Sequence, residues 1–163
     1  MRDQSRKIGS FMIGVGAIIE LKGTNKILLG KRDTREIKHG TWEMIYGRIN
    51  HHEELITGLK REVMEETGIQ DLIIKKLNRI WHIYRGNKHE DTELYGFTFV
   101  CETSEKKPRV SEEHSEFMWV EPEAAIDMMT VPGIKKDLEL YIKNKKTETN
   151  VSISDLNDQI KVF

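Results

Sequence analysis

Apolar residues run from Phe11 to Leu21 in FMIGVGAIIEL, interrupted by Gly14, Gly16 and Glu20. The run is rich in β-branched residues and falls short of the roughly 20 residues that a membrane helix needs. It therefore predicts a buried strand, with no membrane span and no signal segment. Similar reasoning places strands at KILLGKR (Lys26 to Arg32), Leu72 to Tyr84, ELYGFTFVCE (Glu93 to Glu102) and FMWV (Phe117 to Val120). Helices are expected around Glu54 to Thr67, from Pro122 in PEAAIDMM, and from Gly133 to Lys146. Pro122 suits a first helical turn, where the N–H it lacks would have no partner anyway. Interleaved strands and helices predict a mixed α/β class. Residues 1–146 read as one domain, and the polar tail 147–163 as a segment that packs loosely or meets a partner.

Composition narrows this picture. The chain has 163 residues, 33% charged and 37% hydrophobic, with a formal net charge of -1, enough for one real core. Such a balance gives no long-range attraction to nucleic acid or an anionic membrane. The basic strip KKDLELYIKNKK reads as a surface helix with Leu138, Tyr141 and Ile142 on its core face. Cys101, the single cysteine, lies in an alternating apolar run and reads as a small core residue, which points to a reducing, cytoplasmic home.

The helix in GRINHHEELITGLKREVMEETGI carries the chemistry. At about 100° per residue, Leu55, Ile56, Leu59 and Val63 share a core-facing stripe, and Glu62 and Glu66 fall about 20° to either side of Leu55. Glu65 lies further out on that flank, so the three acids meet at i, i+3, i+4 spacing. Gly58 shares the flank at a cost of roughly 1 kcal/mol against alanine, which implies that something needs the room. Gly68 before Ile69 looks like a left-handed helix stop. Glu53 joins the acids only from the loop, and Arg61 is placed to hold a carboxylate by a bidentate pair. Alone, such a helix also reads as a solvated charged face. Converging carboxylates otherwise suit a hard divalent ion such as Mg²⁺.

Gly47, Glu53 and the run Arg61-Glu62-Val63-Met64-Glu65-Glu66-Thr67-Gly68-Ile69 resemble the signature of the Nudix hydrolases at all its fixed positions. GTWEM before it and SEFMWVEPE after it look like family context. The resemblance implies an α/β/α sandwich around a central mixed β-sheet. It also implies hydrolysis of a phosphoanhydride by water attack on phosphorus, in a nucleoside diphosphate linked to another moiety, with Mg²⁺ or Mn²⁺ as cofactor. By matching position, Glu62, Glu65 and Glu66 are the metal ligands, Glu53 is a further ligand or support, and Arg61 orients a carboxylate. The general base is Glu62 or a loop acid. Among Glu112, Glu113 and Glu116, the preferred one is Glu116, which stands just before the FMWV strand.

Two departures bear on the site. Ile45-Tyr46 stands where relatives commonly have Pro-Gly, and the Tyr46 carbonyl takes the place of a frequent metal ligand. If positive φ is needed there, tyrosine is costly. His52 replaces the frequent glycine before Glu53, and with His51 reads as an exposed loop residue. Arg32 and Gly47 are the expected phosphate contacts, and Tyr84 a contact to base or sugar. Trp42, Trp81 and Trp119 read as core more than as base platforms. Nothing chooses among nucleoside triphosphates, nucleotide sugars, ADP-ribose and dinucleoside polyphosphates. The competing reading is a nucleotide-binding sensor with weak or no turnover. A homodimer fits the family's habit.

Overall fold

The structure is a computed structural model that describes residues 10–33 and 40–146. The tail expected at 147–163 lies outside the described residues. Seven strands form one sheet: β1 (Met12–Leu21), β2 (Ile27–Arg32), β3 (Trp42–Glu43), β4 (Ile45–Arg48), β5 (Ile73–Tyr84), β6 (Glu93–Thr103) and β7 (His114–Val120). Three helices accompany them: α1 (Leu55–Thr67), α2 (Pro122–Met128) and α3 (Pro132–Lys146).

β1 is the hub. One edge pairs in parallel with β6 along its whole length, from Met12↔Leu94 to Leu21↔Thr103. The other edge is shared, antiparallel, between β4 at Gly14–Ala17 and β2 at Glu20. A parallel pair inside otherwise antiparallel neighbours makes the sheet mixed, as expected. β1 is apolar almost throughout because both its faces are covered. Val15, Ala17 and Ile19 pack with Leu59 and Val63 of α1, whereas Ile18 packs with Ala125 of α2 and Leu138 and Tyr141 of α3. β6 divides likewise, with Phe99 and Cys101 toward α1 and Val100 toward α3. The result is a helix layer on each sheet face, the expected α/β/α sandwich.

Two expectations change. The strand expected at Phe117 begins at His114, and its polar start pairs with β2 through Lys31↔Glu116 and Arg32↔His114. Ile56, expected in the core stripe, is 39% exposed. The physical reason is Gly58: a Cβ there would stand 2.3 Å from Ile49 Cδ1 and 2.9 Å from Glu53 Oε2. α1 is pressed against the preceding loop on its Gly58 flank, and Ile56, about 160° around the helix, faces outward.

Candidate active site

α1 ends as its sequence requires: Gly68 adopts φ 73°, its N–H bonds the Met64 carbonyl at 2.8 Å, and Ile69 is buried behind it. Just before the helix, His52 takes φ 64°, the single non-glycine residue with positive φ among the described residues. The left-handed position is therefore at His52 and not at Tyr46, which lies within β4. Replacing glycine at His52 carries the backbone cost that was expected of Tyr46.

Arg61 organises the loop and the first acids. Its Nε and Nη2 donate to the two oxygens of Glu53 at 2.7 and 2.9 Å, the bidentate pair anticipated from the sequence. Nη2 also donates to the Arg48 carbonyl at 2.9 Å, and Nη1 reaches Glu65 at 2.9 Å and Glu62 at 3.0 Å. Glu53 further accepts from the Asn50 N–H, at 2.9 Å. The Arg61 guanidinium first, then the Asn50 N–H, holds the Glu53 carboxyl down to about 2. Glu62 accepts from the Arg48 N–H at 3.0 Å and lies where a Cβ on Gly47 would stand, 2.0 Å from its Cδ. Gly47 is thus the space in which the Glu62 carboxylate sits.

Glu66 is different. It is 6% exposed, and its Oε2 has no hydrogen-bond donor. Burial, then the like charges of Glu113, Glu62 and Glu43, pushes its carboxyl up to about 9. Beside it, Glu43 is 4% exposed and bonded by Arg32 Nη1 at 2.7 Å. Burial opposes ionisation of Glu43, but His114 and Arg32 outweigh it and lower its pKa.

A cavity of about 890 Å³ is lined by Glu62 and Glu66, whereas Glu43, Glu53, Arg61 and Glu65 stand outside its lining. Its lining combines charged side chains, among them Arg32, Arg48, Glu62, Glu66, Arg85 and Glu113, with the apolar and aromatic Phe11, Met12, Tyr46, Trp81 and Leu94. Trp81 lies across a glycine row: it pairs with Gly96, which pairs with Gly14, and a Cβ on Gly96 would stand 2.0 Å from the indole. Tyr46 similarly covers Gly16, 2.5 Å from where a Cβ would be. Glycines at three strand positions make room for two aromatic rings, whose centroids are 6.5 Å apart.

Several expected residues take other places. Glu116 lies inside β7, half exposed, 3.7 Å from Lys31 Nζ, and does not line the cavity. Glu113, three residues earlier, does line it and lies 3.8 Å from Arg32 Nη2. The cause is the earlier start of β7, which puts Glu116 in the ladder and Glu113 at its mouth. Tyr84 is likewise outside the lining, where Trp81 stands instead. Arg32, Gly47, His51 and His52 do line the cavity. Glu43 and His114 were missed, because an acid in a two-residue strand and a histidine in a polar run carry no periodic signal.

Among the described residues no three His, Cys, Asp or Glu side chains already form a cation cage. Arg61 stands among Glu53, Glu62 and Glu65. Even so, Glu62 in the Gly47 space and Glu66, whose Oε2 has no hydrogen-bond donor, are hard oxygen donors on one cavity, a set that fits a divalent ion.

The NUDIX domain family model matches residues 10–140. The chain belongs to the Nudix family. It is a hydrolase acting on phosphoric anhydrides, a family that generally uses divalent metals. The chain is 25% identical to the nucleoside triphosphatase NudI of Escherichia coli O17:K52:H18 over 122 residues, 70% of this chain and 85% of that protein. In fold it is similar to the MutT protein of Methanosarcina mazei Go1, with TM-score 0.68, 24% identity, and coverage of 86% of this chain and 99% of that one. It is also similar to the Nudix domain of Shewanella oneidensis NrtR complexed with ADP ribose, with TM-score 0.68, 15% identity, and coverage of 87% and 91%. At these identities the two structures speak for the fold alone. Among the described residues no helix of this Nudix hydrolase is long and apolar enough to cross a membrane.

Proposed function

We propose that this Nudix hydrolase is a divalent-metal-dependent pyrophosphohydrolase of small nucleotides, cleaving a phosphoanhydride in a nucleoside diphosphate linked to another moiety. The observation that carries the reading is one cavity whose lining brings Glu62, Glu66, Arg32 and Arg48 together with the rings of Trp81 and Tyr46. Such a lining suits a molecule that carries both phosphates and a planar base. The relatives' names, a nucleoside triphosphatase and a domain complexed with ADP ribose, are consistent with that class.

Glu62 and Glu66, with Glu65 and the Tyr46 carbonyl, would hold Mg²⁺ or Mn²⁺. Such an ion, when bound, neutralises phosphate oxygens and lowers the pKa of bound water. Arg61 braces Glu53 and the Arg48 carbonyl, so the loop ahead of α1 keeps its shape. Gly47 leaves Glu62 its place, and Arg32 and Arg48 present positive charge to the phosphates. Glu62 or Glu113 takes the proton of the attacking water, and the geometry favours Glu113 over Glu116 as the outer acid. Base contact falls to Trp81 in place of Tyr84. A reducing, cytoplasmic setting agrees with a lone cysteine that is fully buried.

The test is phosphate release from nucleoside triphosphates, nucleotide sugars, ADP-ribose and dinucleoside polyphosphates with Mg²⁺ or Mn²⁺, before and after EDTA. Turnover of at least one class, abolished by EDTA, is expected. Glu113→Gln should slow it by about 100-fold or more, and Glu116→Gln should leave it within about twofold of wild type. No turnover across the panel with metal bound would favour the sensor reading.

A further inference from the structure

We propose that His114 is a positioning residue for Glu66, tying that carboxyl to the buried Glu43–Arg32 pair. The proposal rests on reading Glu66 as a metal ligand. His114 opens β7 and is 1% exposed. Its Nδ1 lies 3.4 Å from Glu66 Oε2 and its Nε2 3.5 Å from Glu43 Oε1. Both ring nitrogens and Glu66 Oε2 lack any hydrogen-bond partner. Buried polar atoms are almost always paired. Nδ1 and Glu66 Oε2, each without another partner and only a few tenths of an ångström beyond a hydrogen bond, are therefore paired with each other, and Nε2 faces the Glu43 Oε1 that Arg32 already holds.

The surroundings are shaped for this ring. A Cβ on Gly30 would stand 2.5 Å from His114 Cδ2, and the Phe117 ring packs with its centroid 5.4 Å away. Behind the imidazole, Glu43 is fixed by Arg32 Nη1 at 2.7 Å. A continuous chain of side chains, Arg32, Glu43, His114, Glu66, thus runs from β2 and β3 through β7 to α1. Fold stability alone gives no reason for it, since a polar ring between buried acids loses solvation that an aromatic hydrocarbon of similar size would not. Ligand orientation does give a reason. Groups behind a metal ligand fix its rotamer, and losing one typically weakens metal binding 10–100-fold. Arg61 serves Glu53, Glu62 and Glu65, and the favourable charge that reaches Glu66 is that of Arg32, the far end of the same chain.

The experiment is Mn²⁺ binding to the full chain without nucleotide, by titration calorimetry, with metal-free thermal melts of the same samples. The proteins are wild type, His114→Phe, His114→Gln and Glu66→Gln. Phenylalanine keeps the ring and removes both nitrogens, and glutamine returns an amide N–H. His114→Phe should weaken Mn²⁺ binding about 10–100-fold while melting at or above the wild-type temperature, and His114→Gln should recover part of the affinity. Wild-type affinity in His114→Phe, with binding lost in Glu66→Gln, overturns the positioning role. Undiminished binding in Glu66→Gln overturns the ligand reading and the proposal with it. Should His114→Phe show no melting transition, Glu43→Gln decides: weakened Mn²⁺ binding supports the chain, and unchanged binding overturns it.

Discussion

At Gly47 the absence of one methyl group decides where Glu62 can lie. A Cβ there would stand 2.0 Å from Glu62 Cδ and 2.4 Å from its Oε2, so alanine must displace the carboxylate. Backbone strain has no part in this, since Gly47 is not among the glycines with positive φ. Gly47→Ala should therefore leave the melting temperature within a few degrees of wild type and lower turnover by about 100-fold, the usual cost of a misplaced group. Steady-state rates beside a thermal melt check this, and unaltered rates would mean that Glu62 works from another rotamer. The motif spacing made it legible that Arg61 holds a carboxylate by a bidentate pair, and the fold shows that carboxylate to be Glu53. The spacing could not reveal that Glu66 is backed by His114, because those residues meet through the fold and not along the chain.

Among the elements, those with long periodic patterns were the legible ones: β1, β2, β5, β6 and all three helices lie within a few residues of expectation. β3 and β4, of two and four residues, are too short for any period to show. β7 extends into the polar HSE because its pairing with β2, not its own hydrophobicity, sets its start. A strand expected to begin at Phe117 made Glu116 the acid just before it, whereas with the strand beginning at His114 that place falls to Glu113. The turn from α1 into β5 is secured by Asp71, which accepts from the Ser104 N–H at 2.9 Å and from the Ser104 and Thr103 hydroxyls. Those bonds, Ser104 first and then Thr103, hold its carboxyl down to about 2. A depressed carboxyl contributes stability above its unfolded pKa of about 4 and loses it as pH falls through the folded value. Wild type should therefore melt above Asp71→Asn at pH 7, and the gap should close between about pH 4 and pH 2. A gap independent of pH would show that the ionised carboxylate is not what ties the turn.

For the molecule as a whole, α3 is docked by charge as well as by Leu138 and Tyr141. Asp137, 1% exposed, accepts from the Tyr46 and Thr98 hydroxyls at 2.8 Å each and from Arg79 Nη1 at 2.7 Å. It thereby joins α3 to β4, β6 and β5, and Thr98 in turn accepts from the Trp81 indole at 3.0 Å. One buried acid sets both the helix and the two aromatic rings that line the cavity. Helical periodicity announced Leu138 and Tyr141 but gave no hint of Asp137, since an acid among the lysines of a charged helix looks solvated. The Ile45-Tyr46 departure finds its explanation here: Tyr46 replaces a small residue with a ring that covers Gly16 and a hydroxyl that pairs with Asp137. On the proposed function, the carboxylates on α1 hold the metal at which a nucleotide's phosphoanhydride is cleaved. The most direct test of this is turnover of the panel's best substrate against Mg²⁺ concentration, for wild type and Glu66→Gln, with metal-free melts of both. Saturable Mg²⁺-dependent turnover in wild type, reduced by at least about 1,000-fold in a mutant that melts no lower, is the predicted result. Near-normal turnover in Glu66→Gln would show that the metal is held elsewhere.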